Sequence, residues 1–192
     1  DYHYRQEFEY LYMVEQGRAF DSDDPYVGQG VNRLVANVLR EGISPDPDTD
    51  SEEVNEILSD RWKQWAEDRN MCDVMREHTF TEIERLILRA VIVDGDHVVL
   101  PLGSGQLQMV ENHRLRTPRN TSKNVVHGVL LNELSQRVQY WITKENLDPQ
   151  LHLDRVSEVN QYNTYDEDEN RQVFHIYNPK RSSQTRGATA SN

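Results

Sequence analysis

Apolar positions recur most regularly over residues 79–118. Thr79 and Glu82 have the spacing of a capping box, in which each side chain satisfies an orphan amide at a helix start. Phe80, Ile83, Ile87, Ala90 and Val91 then follow at helical spacing, with Glu82, Arg85 and Arg89 elsewhere around the turn. Asp94 and Gly95 end that helix, because glycine accepts the positive φ of a helix stop. Val98, Leu100 and Leu102 alternate like a half-buried strand, and the turn Gly103-Ser104-Gly105 sends the chain into a second one. This pattern predicts a central helix feeding a hairpin, with Leu86, Ile87 and Val91 buried as the core on which the rest packs.

Three helices are expected before it. One spans residues 4–17, with Phe8, Leu11 and Tyr12 on a shared face and Gly17 as its stop. Asp24 caps the next and Pro25 takes its first position. Val27, Val31, Leu34, Val35, Val38 and Leu39 form its stripe, wide enough for a packing face or a partner-binding face, and it ends at residues 40–42. Residues 43–50 make a stiff, acidic linker. Asp46, Asp48 and Asp50 alternate as in a calcium loop, but Pro47 intrudes on a pattern that needs a glycine at its sixth position. Asp50 and Glu53 instead cap the third helix, with Val54, Ile57, Leu58, Trp62 and Trp65 along one side. The tryptophan pair suits a core; stacking on bases or a ligand is the other use of such a pair.

Downstream, residues 114–124 read as a locally basic loop carrying Arg114, Arg116, Arg119 and Lys123. A hairpin is expected from a strand over 125–131, a turn over 132–136, and a strand over 137–143 in which Val138, Tyr140 and Ile142 alternate. Residues 151–162 show no clear pattern. An acidic turn at 165–170 precedes a last strand over 172–177, then a basic loop over 178–187. No internal repeat is present. The order of elements is that of an α+β fold, N-terminal helices packed on antiparallel hairpins, divided into a helical region with linker (1–50) and an α+β domain (51–192).

The chain of 192 residues has 36% apolar residues, 33 acidic and 21 basic side chains and a formal charge of −12; its mean hydropathy is −0.84. No window offers the ~20 apolar residues of a membrane span. Acidity argues against broad electrostatic grip on nucleic acid, which needs clustered Lys and Arg. The single Cys72 excludes an internal disulfide and suits a reducing compartment. The chain begins at Asp1 without a signal peptide and reads as a piece of a longer polypeptide, so the sequon at Asn120 is taken as fortuitous. Chemistry is scarce. The seven histidines show no ligand spacing, and there is no phosphate-binding loop, no nucleophile elbow and no full dinucleotide fingerprint. One cluster stands out: Asp94, Asp96, His97, Glu111 and His113 become neighbours if the first hairpin pairs in register. Such a group suits a metal-dependent hydrolase or nuclease; equally, Asp94-Gly95-Asp96 is an ordinary helix-to-strand turn. No catalytic, cofactor-binding or metal-ligating residue is assigned.

Several stretches together resemble lambda-type phage portal proteins: Trp62-Lys63-Gln64-Trp65, Cys72-Asp73, Phe80-Thr81-Glu82, Asp94-Gly95-Asp96, residues 107–118, Gly128-Val129, residues 137–142, His175-Ile176-Tyr177 and, most telling, Gln184-Thr185-Arg186-Gly187. The likeness starts near Trp62 and is weak before Ser51. It implies a wing-like α/β segment that stops where the channel-lining stem begins. It further implies a structural part without an active site or cofactor. Such portals are rings at a capsid vertex of a phage or prophage, virion components assembled in the host cytoplasm. Their expected partners are further copies of the chain, terminase, capsid and head-completion proteins, and double-stranded DNA that passes through without sequence specificity; no membrane is involved. Two other readings are the hydrolase above and an adaptor binding through the Val27–Leu39 stripe. An isolated chain of this kind is expected to be a monomer or weak oligomer and to bind duplex DNA negligibly.

Overall fold

The computed structural model describes residues 6–118, 121, 124–144 and 158–190. Five helices come first: α1 (Glu7–Asp23), α2 (Pro25–Val38), α3 (Glu52–Glu67), the single turn α4 (Arg69–Cys72) and α5 (Phe80–Val93). Seven strands follow: β1 (Asp96–Pro101), β2 (Leu107–Glu111), β3 (Val125–Val126), β4 (Val129–Leu131), β5 (Arg137–Thr143), β6 (Val159–Asn163) and β7 (Phe174–Tyr177). The fold is α+β, and both sheets are antiparallel: β2-β1-β7 and β3-β4-β5-β6. Among the described residues no helix is long and apolar enough to cross a membrane.

The two sheets, not the central helix, enclose the main core. Val98 and Leu100 of β1 and Val110 of β2 meet Val129, Tyr140 and Ile142 of the second sheet, with Leu115 and Val173 between. Successive side chains on a strand face opposite ways, so His97 and Val99 turn to the other side, where α5 packs. A sheet face on one side and a helix on the other bury β1 from Asp96 to Leu100. The half-buried strand expected from its alternation is therefore a fully buried one, and Leu102, already in the turn, is exposed.

α5 keeps its predicted ends: the Thr79–Glu82 capping box forms, and Gly95 takes φ +101°. Its burial differs from the expectation. Ile83 is fully buried, Ile87 and Val91 are half-buried, and Leu86 is 38% exposed. α5 covers a narrow sheet of three strands, so much of its wide apolar stripe overhangs the edge.

α1 runs through Gly17 to Asp23. Gly17 is there for contact, not as a stop: a Cβ would stand 2.5 Å from the Val93 carbonyl oxygen. The inward face is Tyr10, Leu11, Val14 and Gly17, while Phe8 and Tyr12 point to solvent. The α2 start is as predicted, the Asp24 carboxylate accepting from the amides of Tyr26 and Val27. α2 ends at Val38, with Leu39 as its cap. Ser51, rather than Asp50, caps α3, accepting from the Val54 amide. Trp62 and Trp65 are half-buried and share a cluster with Phe80, and Trp65 Nε1 donates to the Gly105 carbonyl at 2.9 Å. Residues 125–131 are two short strands around a His127–Gly128 turn, not one strand. The acidic turn forms through Asp166, which accepts from Asp168 and Asn170 amides. Most of 151–162 lies outside the described residues, as do Arg119 and Lys123.

Candidate functional site

Of the five residues singled out around the first hairpin, Asp94, Glu111 and His113 join one network, Asp96 joins another, and His97 joins neither. His97 pairs opposite Glu111 across β1 and β2, as the register required. On the outer side, Arg18 of α1 bridges the carboxylates: Nε donates to Asp94 Oδ1 at 2.8 Å, and Nη2 to Asp94 Oδ2 at 2.6 Å and Glu111 Oε2 at 3.0 Å. His113 Nδ1 lies 3.1 Å from the same Glu111 oxygen. The His113 hydrogen bond, helped by Arg18, holds the Glu111 carboxyl down at about 2 against the penalty of partial burial. Arg89 of α5 pairs with Asp21 alongside. A cavity of about 460 Å³ opens here, lined by Arg18, Arg89, His97, Met109 and Glu111 among others.

Asp96 belongs to the inner network and is completely buried. Arg186 approaches from the closing segment, Nε donating to Oδ2 at 2.7 Å and Nη2 to Oδ1 at 3.0 Å. The same Oδ2 also accepts from His175 Nε2 at 3.0 Å, from the Gly187 amide at 2.9 Å and from Tyr10 Oη at 3.3 Å. Burial alone pushes the Asp96 carboxyl up; Arg186 and His175 overcome that and hold it far below the usual carboxylate range. Arg186 also donates to the carbonyls of His127 and Asn112, both at 2.8 Å, and its guanidinium lies 4.7 Å from the Tyr10 ring centre. One side chain thus ties β1, the β3–β4 turn, the turn after β2 and helix α1.

The backbone is fitted as closely. A Cβ on Gly187 would fall 1.9 Å from the Gly95 carbonyl oxygen, and one on Gly95 would stand 2.8 Å from the Gly187 carbonyl carbon. The two glycines therefore cross in direct backbone contact, with Gly95 at positive φ. Gln184 locks the approach to the crossing: its side chain accepts from the Lys180 amide at 2.7 Å and donates to the Arg186 carbonyl at 2.8 Å. The Gln184 carbonyl in turn accepts from Arg137 at 2.8 Å and Tyr177 at 3.0 Å.

These contacts draw several cations of the two basic loops into the protein. Arg116 and Arg186 are fully buried, and Arg114 is half-buried with Nη2 donating to the Thr143 carbonyl at 2.7 Å. Among the described residues of those loops, Lys180 and Arg181 remain exposed. No periodicity linked Asp96 to a partner 90 positions away; the Gln184–Gly187 motif marked the place, but its composition read as a solvated loop. His97 differs from the rest: it is 5% exposed, and neither ring nitrogen has a protein partner. Burial pushes its pKa down. Among the described residues, no group of three or more His, Cys, Asp or Glu side chains is arranged to hold a metal ion. The geometry is that of a clasp, charges closed on one another.

The profile of the family described as phage portal protein, lambda family, covers residues 10–191. The likeness therefore reaches well before Trp62, through α2 and most of α1. No curated protein matches the chain.

Proposed function

Since the chain belongs to the lambda family of phage portal proteins, a structural family of ring-forming virion components, we propose that it forms the wing-like part of a portal at one capsid vertex. DNA is packaged and ejected through that ring, and terminase and head-completion proteins dock on it. The chain does this without cofactor, metal or catalysis. Assembly takes place in the host cytoplasm, and DNA passes without sequence-specific contact. The match along residues 10–191 carries this reading.

The clasp supports it in physical terms. A part that bears load between a capsid and a DNA channel needs its closing segment held by the domain, and Asp96, Arg186 and Gly187 hold it. The hydrolase reading finds little support, since Arg18 closes on both Asp94 and Glu111. Stoichiometric zinc or manganese that survives dialysis and raises the melting temperature would speak for it.

The experiment is inactivation of the gene in the phage or inducible prophage that carries it. Heads lacking packaged DNA are the expected product. DNA-filled particles at undiminished titre would refute the portal reading.

A further inference from the structure

Among the described residues, two apolar faces on the outer helices have no partner, and these faces differ in charge. α2 has no carboxylate in its 14 residues, in a chain that has 33. Its Val31 and Val35 turn inward, but Val27, Leu34 and Val38, spaced to share the adjoining face, are 38%, 48% and 60% exposed. Arg33 and Gly30 lie on the next flank by helical spacing, both exposed. A Cβ at Gly30 would meet nothing within 4 Å, so another backbone can come close. α3 is the converse. It buries no residue, and Val54, Ile57 and Leu58 are 43%, 49% and 45% exposed. Glu53, Glu56 and Asp60 recur down the flank beside Ile57, while Arg61 interrupts the stripe. Both helices lean on α5.

We infer that α2 of one copy docks on α3 of the next, head to tail. Like faces pair badly: α2 on α2 sets Arg33 against Arg33, and α3 on α3 sets carboxylates together in a molecule already at −12. The unlike pair matches apolar stripe to apolar stripe and sets Arg33, the one charged side chain of α2, against the anionic flank of α3. A contact between two different patches is heterologous, the kind that can repeat around a ring. The partner is therefore a second copy of this chain, and the inference rests on the portal reading, which brings copies together. Six half-exposed aliphatic side chains fall well short of the ~1,600 Å² of a standard stable interface. One such contact is weak alone and gains from repetition around a closed ring.

Sedimentation equilibrium up to about 1 mM protein, the range in which weak contacts populate, tests this with two surface variants, Leu34→Glu and Ile57→Lys. Wild type is expected to exceed its monomer mass of 22.5 kDa as concentration rises, less so at high salt. Each variant alone stays monomeric with an unchanged thermal melt. An equimolar mixture of the two recovers association, limited to dimers, because it unites one intact α2 face with one intact α3 face. A wild type that stays monomeric throughout gives the faces to some other protein and overturns the inference. So does a variant that associates like wild type, or a mixture that stays monomeric. Association that survives both substitutions refutes only this surface; the packaging experiment decides the portal reading separately.

Discussion

The interior around Asp96 and the outer faces of α2 and α3 use their side chains in opposite ways. Inside, one carboxylate accepts from a guanidinium, an imidazole, a phenol and a backbone amide, the guanidinium and amide donors fixed by covalent geometry. Outside, aliphatic residues at helical spacing stand half in water. The difference lies in what specifies each region. A buried ion pair is costly to desolvate and works only with every partner in place, so it defines one arrangement of the chain. An exposed apolar stripe fixes nothing within the protomer and is free to serve contact between molecules.

The largest expected effect is at Arg186. Arg186→Ala leaves Asp96 buried without its main counter-charge, and breaking a buried pair in this way costs on the order of 3–5 kcal/mol. Urea melts should show a loss of that size; a loss near that of an exposed pair, under about 1 kcal/mol, would dissolve the contrast between the two regions.

Next comes α5, which belongs to both regions. Ile83→Ala should cost about 2–5 kcal/mol as a large-to-small change at a fully buried site. Leu86→Ala, at a position 38% exposed, should cost less than about 1 kcal/mol. Equal losses would restore the uniformly buried helix that periodicity suggested.

Acid should act on the buried histidines and then on Asp96. Burial lowers the pKa of His97 and His175, so the unfolded chain takes up protons first. Their contribution to stability is complete above about pH 6.5 and declines as pH falls through the lower folded values. The Asp96 carboxyl is also depressed, so its contribution lasts until pH drops below about 4. Melting temperature against pH should therefore fall in two stages. His97→Leu removes an unpartnered imidazole and should shrink the first stage to the share of His175 while leaving the second; an unchanged profile would show that His97 does not titrate on unfolding.

The smallest effect is at α2. Leu34→Glu should change the protomer's stability by no more than about 0.5 kcal/mol, the usual range for a surface site. A greater loss, read by thermal melting, would mean that this face is packed within the protomer.

The sequence was legible where the physics is local. The Thr79–Glu82 box, the Asp24–Pro25 start and the Gly103–Gly105 turn are each set by a few adjacent residues, and each forms where expected. It misled where burial depends on distant partners. β1 alternates like a strand with one wet face, yet α5 covers that face. Gly17 looks like a helix stop until Val93 is beside it. The Asp94–Glu111 cluster was foreseeable from hairpin register, but Arg18, which fills it, comes from a helix 76 residues earlier than Asp94. Arg186 was the hardest, one of three cations in a basic loop, with a counter-charge that opens a strand on the far side of the sequence.

Native-state hydrogen exchange at the Gly187 amide tests the clasp most directly, because that amide donates to Asp96 and to no backbone carbonyl of a sheet. The account predicts that it exchanges only when the whole domain unfolds, with an opening free energy equal to that of the Val98 amide in β1 and falling in step with it in urea. Exchange at the rate of an open loop, while Val98 stays protected, would show that the closing segment is not anchored by Asp96 and Arg186.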